Sequence, residues 1–99
     1  MNKDQGARVL IVDDEKGIRS FLRVSLSSRG YAVFEAATGS DALEKSASAH
    51  PDVIILDLGL PDADGKTVIT ALRQTSKVPI IVLSARDRES EKIESLDLG

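Results

Sequence analysis

Three apolar runs of this 99-residue chain end in oxygen-bearing side chains: Val9 to Val12 in Asp13-Asp14-Glu15, Val53 to Leu56 in Asp57, and Ile80 to Leu83 in Ser84. A short continuous apolar run bounded by turn residues reads as a strand buried on both faces of a parallel sheet. In open α/β sheets ligands bind outside the carboxyl ends of such strands, at the point where strand order reverses. With the first and third strands as neighbours there, Asp13, Asp14 and Asp57 crowd one crevice. Like charges so close raise one another's pKa unless a cation neutralises them, and a compact, all-oxygen site suits Mg²⁺. A carboxylate beside such an ion can attack phosphorus and form an aspartyl phosphate, with Ser84 donating its hydroxyl to a phosphoryl oxygen.

Taken singly, these residues also fit plainer roles. An Asp just past a strand is most often a turn former or a helix N-cap, and Ser84 alone fits a cap for the segment that follows. Asp62 and Asp64 read as loop and capping residues rather than ligands. His50, which precedes Pro51 in a polar turn, reads as a solvated loop residue. What sets Asp13, Asp14, Asp57 and Ser84 apart is their common placement on one edge of one sheet.

The elements that must place them are legible in order. After a polar lead-in, Arg8 to Val12 forms the first strand. Between Lys16 and Arg29, Ile18, Phe21, Leu22 and Leu26 fall at i, i+3, i+4 and i+8, the single stripe of a helix lying on a sheet, and Gly30 closes it. Tyr31 to Ala36 is a shorter strand. Thr38-Gly39-Ser40-Asp41 is a capping box that opens a peripheral helix whose small apolar side is Ala42, Leu43 and Ala47. The third strand leads into a Gly- and Pro-containing loop from Asp57 to Gly65, where Asp64 caps a helix that runs to about Gln74 and turns Val68, Ile69 and Leu72 to the sheet. Pro79 opens the fourth strand, and Asp87 to Asp97 reads as a helix anchored chiefly by Ile93 and Leu96. Strands alternating with helices imply a parallel sheet with right-handed crossovers and helices on both faces.

Composition narrows the setting. With 41% apolar residues, 29% charged residues and a net charge of −3, the chain is an ordinary globular sequence with one core. It has no cysteine, no signal-peptide pattern and no apolar run near the length of a membrane span, so a reducing, cytoplasmic setting without membrane contact is expected. Lysine and arginine are scattered rather than gathered on one face, so direct DNA contact by this segment is not expected.

Val-Asp-Asp-Glu at 12 to 15, Ile-Leu-Asp-Leu-Gly-Leu-Pro at 55 to 61, Asp-Gly at 64 to 65 and Val-Pro-Ile-Ile-Val-Leu-Ser-Ala at 78 to 85 together resemble the receiver domain of bacterial two-component response regulators. The residues after Asp57 and after the fourth strand are similar to the winged-helix transcription-factor subclass. The resemblance implies a flavodoxin-like, doubly wound sheet of order 2-1-3-4(-5) over residues 1 to 99, with the family's fifth strand and fifth helix absent. It implies a phosphorylation-dependent switch rather than an enzyme, with Asp57 as the phosphoacceptor. Mg²⁺ would be held by Asp57, by Asp14 directly, by Asp13 through water and by the backbone carbonyl of Gly59. Ser84 would be the switch hydroxyl and Ala85 the small residue that leaves the phosphate open. The implied partners are a sensor histidine kinase, whose phosphohistidine is the donor, and DNA only through an effector domain not among these residues.

The family continues with a strand carrying a switch aromatic, a Lys-Pro pair whose lysine contacts the phosphoryl group, and a last helix, whereas this chain stops at Leu96-Asp97-Leu98-Gly99. Without them the face of the sheet beside the first helix should be incompletely covered and the fourth strand should be an open edge, so self-association is expected. Two rival classes weigh against the switch. An aspartate-nucleophile phosphatase of the haloacid dehalogenase type wants Asp-x-Asp where this chain has Asp57-Leu58-Gly59. A receiver-like interaction module without the chemistry is opposed by the complete set Asp13, Asp14, Asp57 and Ser84, and favoured by the missing lysine.

Overall fold

The computed structural model describes residues 6–83 and the backbone of residues 93–96. In chain order the elements are β1 (Arg8–Val12), α1 (Lys16–Ser27), β2 (Ala32–Ala36), α2 (Gly39–Ala49), β3 (Val53–Asp57), α3 (Gly65–Arg73), β4 (Ile80–Leu83) and β5 (Ile93–Leu96). They make one sheet of order β2-β1-β3-β4-β5. The first four strands are parallel, which is the flavodoxin-like arrangement that the resemblance implies.

The edge beyond β4 differs from expectation. Ile93–Leu96 lies within the segment read from sequence as a helix, yet it pairs antiparallel with β4, with Ile80 opposite Leu96 and Leu83 opposite Ile93. The fifth place in the sheet, expected to be absent, is thus filled from an unexpected segment. An unpaired edge strand presents a row of free N–H and C=O groups, and pairing satisfies them. A helix here would have only Ile93 and Leu96 as anchors, too small an apolar face to offset the cost of forming it.

Alternation along the strands divides the core into two unequal halves. Leu10 and Val12 of β1, Ile54 and Leu56 of β3, and Ile80 and Val82 of β4 are all at most 1% exposed. They pack with Ala42 of α2 and with Val68, Ile69 and Leu72 of α3. Each such aliphatic side chain contributes about 1.5 to 3 kcal/mol when fully buried. On the opposite face Val9 and Ile11 are buried, but Val53, Ile55, Ile81 and Leu83 are only half-buried. That is the incomplete cover expected from packing. The apolar stripe of α1 is correspondingly shallow: the helix buries no residue completely, and Phe21 is 68% exposed.

Local signals end the helices much as read. α1 stops at Ser27, the N–H of Tyr31 returns to the Leu26 carbonyl at 3.2 Å, and Gly30 takes a φ of 94°, a left-handed turn that suits glycine. Thr38 caps α2 by accepting from the Asp41 N–H at 3.0 Å, and Asp64 caps α3 by accepting from the Lys66 N–H at 3.2 Å. His50 does more than sit in a loop, since it is the left-handed C-cap of α2. Of the expected apolar side of α2 only Ala42 enters the core, whereas Leu43 and Ala47 are exposed and line a groove of about 540 Å³ against Ala71 and Leu72.

Candidate functional site at the carboxyl edge of the sheet

The register of the parallel ladder brings the acids together. Val12 lies opposite Leu56 in the β1–β3 pair, so Asp13 and Asp57, each the next residue, emerge side by side where the two strands end. The ladder continues one step past β1, for the Asp13 N–H donates to the Ala36 carbonyl of β2 at 3.0 Å. One carboxylate oxygen from each of Asp13, Asp14 and Asp57 lies within 4.8 Å of the others. Asp13 is 2% and Asp57 5% exposed, the buried charged residues among those described, while Asp14 is exposed.

Each buried acid is steadied by one backbone amide. The Glu15 N–H donates to Asp13 Oδ1 at 2.9 Å, and the Gly59 N–H donates to Asp57 Oδ1 at 3.2 Å. Burial pushes the Asp13 carboxyl above its ordinary value; the Glu15 amide opposes this, and the charges of Asp57, Asp14 and Glu15 add to it. Mutual repulsion among the acids is therefore real at Asp13 but secondary to desolvation. The donor set, three carboxylates with oxygen as the sole ligand atom, fits a hard divalent cation that favours oxygen and tolerates high ligand charge.

The β3–α3 loop is held at both ends. The Gly65 N–H donates to the Leu58 carbonyl at 3.1 Å, and a Cβ on Gly65 would meet the Leu58 Cα at 2.6 Å, so only glycine allows this closure. Asp62 spans to another element, accepting from the Gly39 N–H at 2.7 Å and the Ser40 N–H at 3.1 Å at the start of α2. Those amides, Gly39 first, hold its carboxyl below the ordinary range. Asp62 and Asp64 are thus capping residues outside the acid cluster, as read. What sequence reasoning missed is that Asp62 caps a helix before its own loop.

Of the candidate residues, Asp13, Asp14 and Asp57 are brought together, and Gly59 meets Asp57 through its amide. Ser84 and Ala85 lie outside the described residues. A second group was also missed. Arg19 of α1 donates from Nη1 to the Asp13 carbonyl oxygen at 2.8 Å and from Nε to Glu35 Oε1 at 3.2 Å, and Arg23 pairs with Glu35 Oε2 at 2.9 Å. No local signal could have found it, because it joins three elements through the β1–β2 register.

Residues 9–99 match the family model described as the response regulator receiver domain. The chain is 58% identical over 91 residues to the KDP operon transcriptional regulatory protein KdpE of Escherichia coli (strain K12), an alignment that covers 92% of this chain and 40% of that protein. The chain thus spans about two-fifths of the length of this curated relative. Among solved structures, the Francisella response regulator 1452 receiver domain superposes with a TM-score of 0.77 at 34% identity, covering 83% of this chain and 69% of that one. The chemotaxis response regulator CheY4 of Vibrio cholerae superposes with a TM-score of 0.75 at 37% identity, covering 84% and 75%. Among the described residues no helix is long and apolar enough to cross a membrane.

Proposed function

Since the chain belongs to the response regulator receiver domain family, we propose that it is the phosphorylation switch of a two-component system, with Asp57 as the residue that accepts the phosphoryl group. The observation that carries this reading is the juxtaposition of Asp57 with Asp13 and Asp14, their carboxylate oxygens within 4.8 Å of one another at the carboxyl ends of β1 and β3. The donor is a phosphohistidine on a sensor histidine kinase. A carboxylate oxygen of Asp57 attacks phosphorus, the P–N bond to the imidazole breaks, and the imidazole nitrogen keeps the electron pair and takes up a proton. The product on this chain is an acyl phosphate.

Asp14 directly, Asp13 through water, Asp57 itself and the Gly59 carbonyl would hold Mg²⁺. When bound, that ion offsets charge on the transferring phosphoryl group. The amide of Gly59 holds one Asp57 oxygen, which orients the carboxylate. Burial of Asp13 and Asp57 strengthens each electrostatic contact there. Ser84 follows β4, the strand paired with β3, and supplies the hydroxyl that moves to the phosphoryl oxygens on activation. The added charge, about −1.5 to −2, is the signal. It is passed to a DNA-binding effector in the cytoplasm, a reading supported by the likeness to a transcriptional regulatory protein.

Intact mass after incubation with acetyl phosphate and Mg²⁺ tests the proposal. One base-labile phosphoryl group is expected on the protein and none on Asp57→Asn. Equal labelling of the variant under the same conditions would overturn the assignment.

A further inference from the structure

The Asp13–Asp14 peptide is pinned from outside the acid cluster. Its carbonyl oxygen, that of Asp13, accepts from Arg19 Nη1 at 2.8 Å. A peptide unit is planar, so a bond to this one oxygen sets the rotation of a plate that carries the Cα atoms of both acids. The other side of Asp13 is fixed as well, its N–H donating to the Ala36 carbonyl at 3.0 Å. Arg19 is itself held, with Nε on Glu35 Oε1 at 3.2 Å, and Glu35 stands next to Ala36 on β2. The guanidinium thus bridges the β1–α1 loop to the strand that already anchors the same loop from below. Its side chain is 17% exposed, against 48% for Arg23, so water competes less for the bond to Asp13.

We propose that Arg19 is the positioning residue of the acidic pair, fixing the Asp13–Asp14 peptide so that both carboxylates face Asp57 with their spacing already set for a divalent cation. The need for such a residue follows from the cluster itself. Three carboxylates that repel one another splay apart unless the backbone beneath them is restrained, and every ångström of splay must be recovered when a cation binds. A planar two-point fork supplies that restraint better than a single-point ammonium does.

The inference rests on the reading of Asp13, Asp14 and Asp57 as a Mg²⁺ site, and the test separates the two. Mg²⁺ alone is titrated into the protein and followed by amide chemical shifts. Loss of a partner outside the ligand shell typically weakens metal binding about 10- to 100-fold; because Arg19 acts through backbone, Arg19→Met should weaken Mg²⁺ about tenfold. Arg19→Lys, which keeps one donor, should restore part of that, ending about two- to fivefold weaker than wild type. Arg23→Met shares the Glu35 contact without touching Asp13 and should shift the affinity less than about twofold. A merely structural Arg19 would instead lower the urea midpoint and leave the affinity of the folded protein unchanged. Wild-type affinity in Arg19→Met, or in Arg19→Lys should the Met variant fail to fold, overturns the inference alone. Absence of Mg²⁺ binding in the wild type overturns the metal-site reading and the inference with it.

Discussion

Adjacent residues of one strand offer a controlled test of how unequally the sheet is covered. Ile54 and Ile55 have the same side chain and sit in the same strand, paired on both sides with β1 and β4. Ile54 is 0% exposed against α2 and α3, whereas Ile55 on the opposite face is half-buried. Truncation to alanine removes three carbons, about 2.4 kcal/mol of transfer free energy at about 0.8 kcal/mol per buried methylene. At Ile54 a cavity term adds to this, for a total of about 3 to 4 kcal/mol. At Ile55 less surface is withdrawn from water and the space left can open to solvent, so about 1 to 2 kcal/mol is expected. The lower strand propensity of alanine is common to both and cancels. With a urea slope of about 1 to 1.5 kcal/mol per molar, the two midpoints should separate by roughly 1.3 to 2 M. Coincident midpoints, with equal slopes, would show that both faces are covered alike. Should Ile54→Ala leave too little folded protein, Ile→Val at the two sites gives the same ordering on a scale of about 0.5 to 1.5 kcal/mol.

Other outcomes follow from the site and its supports. Neutralising the exposed acid should harm Mg²⁺ binding most, with Asp14→Ala at least about tenfold weaker by calorimetric titration, the scale that outer-shell losses alone can reach; an unchanged affinity would remove Asp14 from the ligand set. Asp62 has its carboxyl lowered in the folded chain by the Gly39 and Ser40 amides, so its stabilising contribution is present above the ordinary value of 3.8 and is lost as pH falls through the folded value. The midpoint gap between wild type and Asp62→Asn should therefore be constant near neutrality and close in strong acid, and a gap that persisted unchanged at about pH 2 would refute the capping role. The half-covered face beside α1, with Phe21 and Val24 exposed, should drive self-association at micromolar concentration, which a monodisperse monomer in sedimentation would contradict.

Parts of the fold with a local signature were legible in the sequence. Inner strands of a parallel sheet write themselves as unbroken apolar runs, so β1, β3 and β4 and the acids that end the first two could be placed without any knowledge of pairing. The stripe Ile18, Phe21, Leu22 and Leu26 marked the apolar side of α1, of which Ile18, Leu22 and Leu26 are half-buried. It could not reveal how deeply that side is buried, because depth depends on whether a neighbour covers the flank, and Phe21 is mostly exposed. The same limit explains β5. A segment with two apolar anchors has no strong preference of its own, and the open hydrogen-bonding edge of β4 decides its conformation. Ser84 was read from its place at the end of a strand, whereas a role for the carbonyl of Gly59 has no local signature and came from the family motif alone.

The two faces of the sheet also carry different duties. The fully buried set on the α2 and α3 side fixes the β1–β3 register, and that register alone brings Asp13 beside Asp57. The opposite side contributes less to stability, because α1 buries no residue completely. Yet the loop that carries Asp13 and Asp14 leads straight into α1, so looseness in that helix would pass directly to the acids. Apolar packing too weak to hold α1 in register must be supplemented by directional bonds. The Arg19 and Arg23 contacts to Glu35, and the Arg19 bond to the Asp13 carbonyl, are bonds of that kind. Polar strapping therefore ties α1 to β2 beside the acid cluster, where the geometry of that cluster is most sensitive to it.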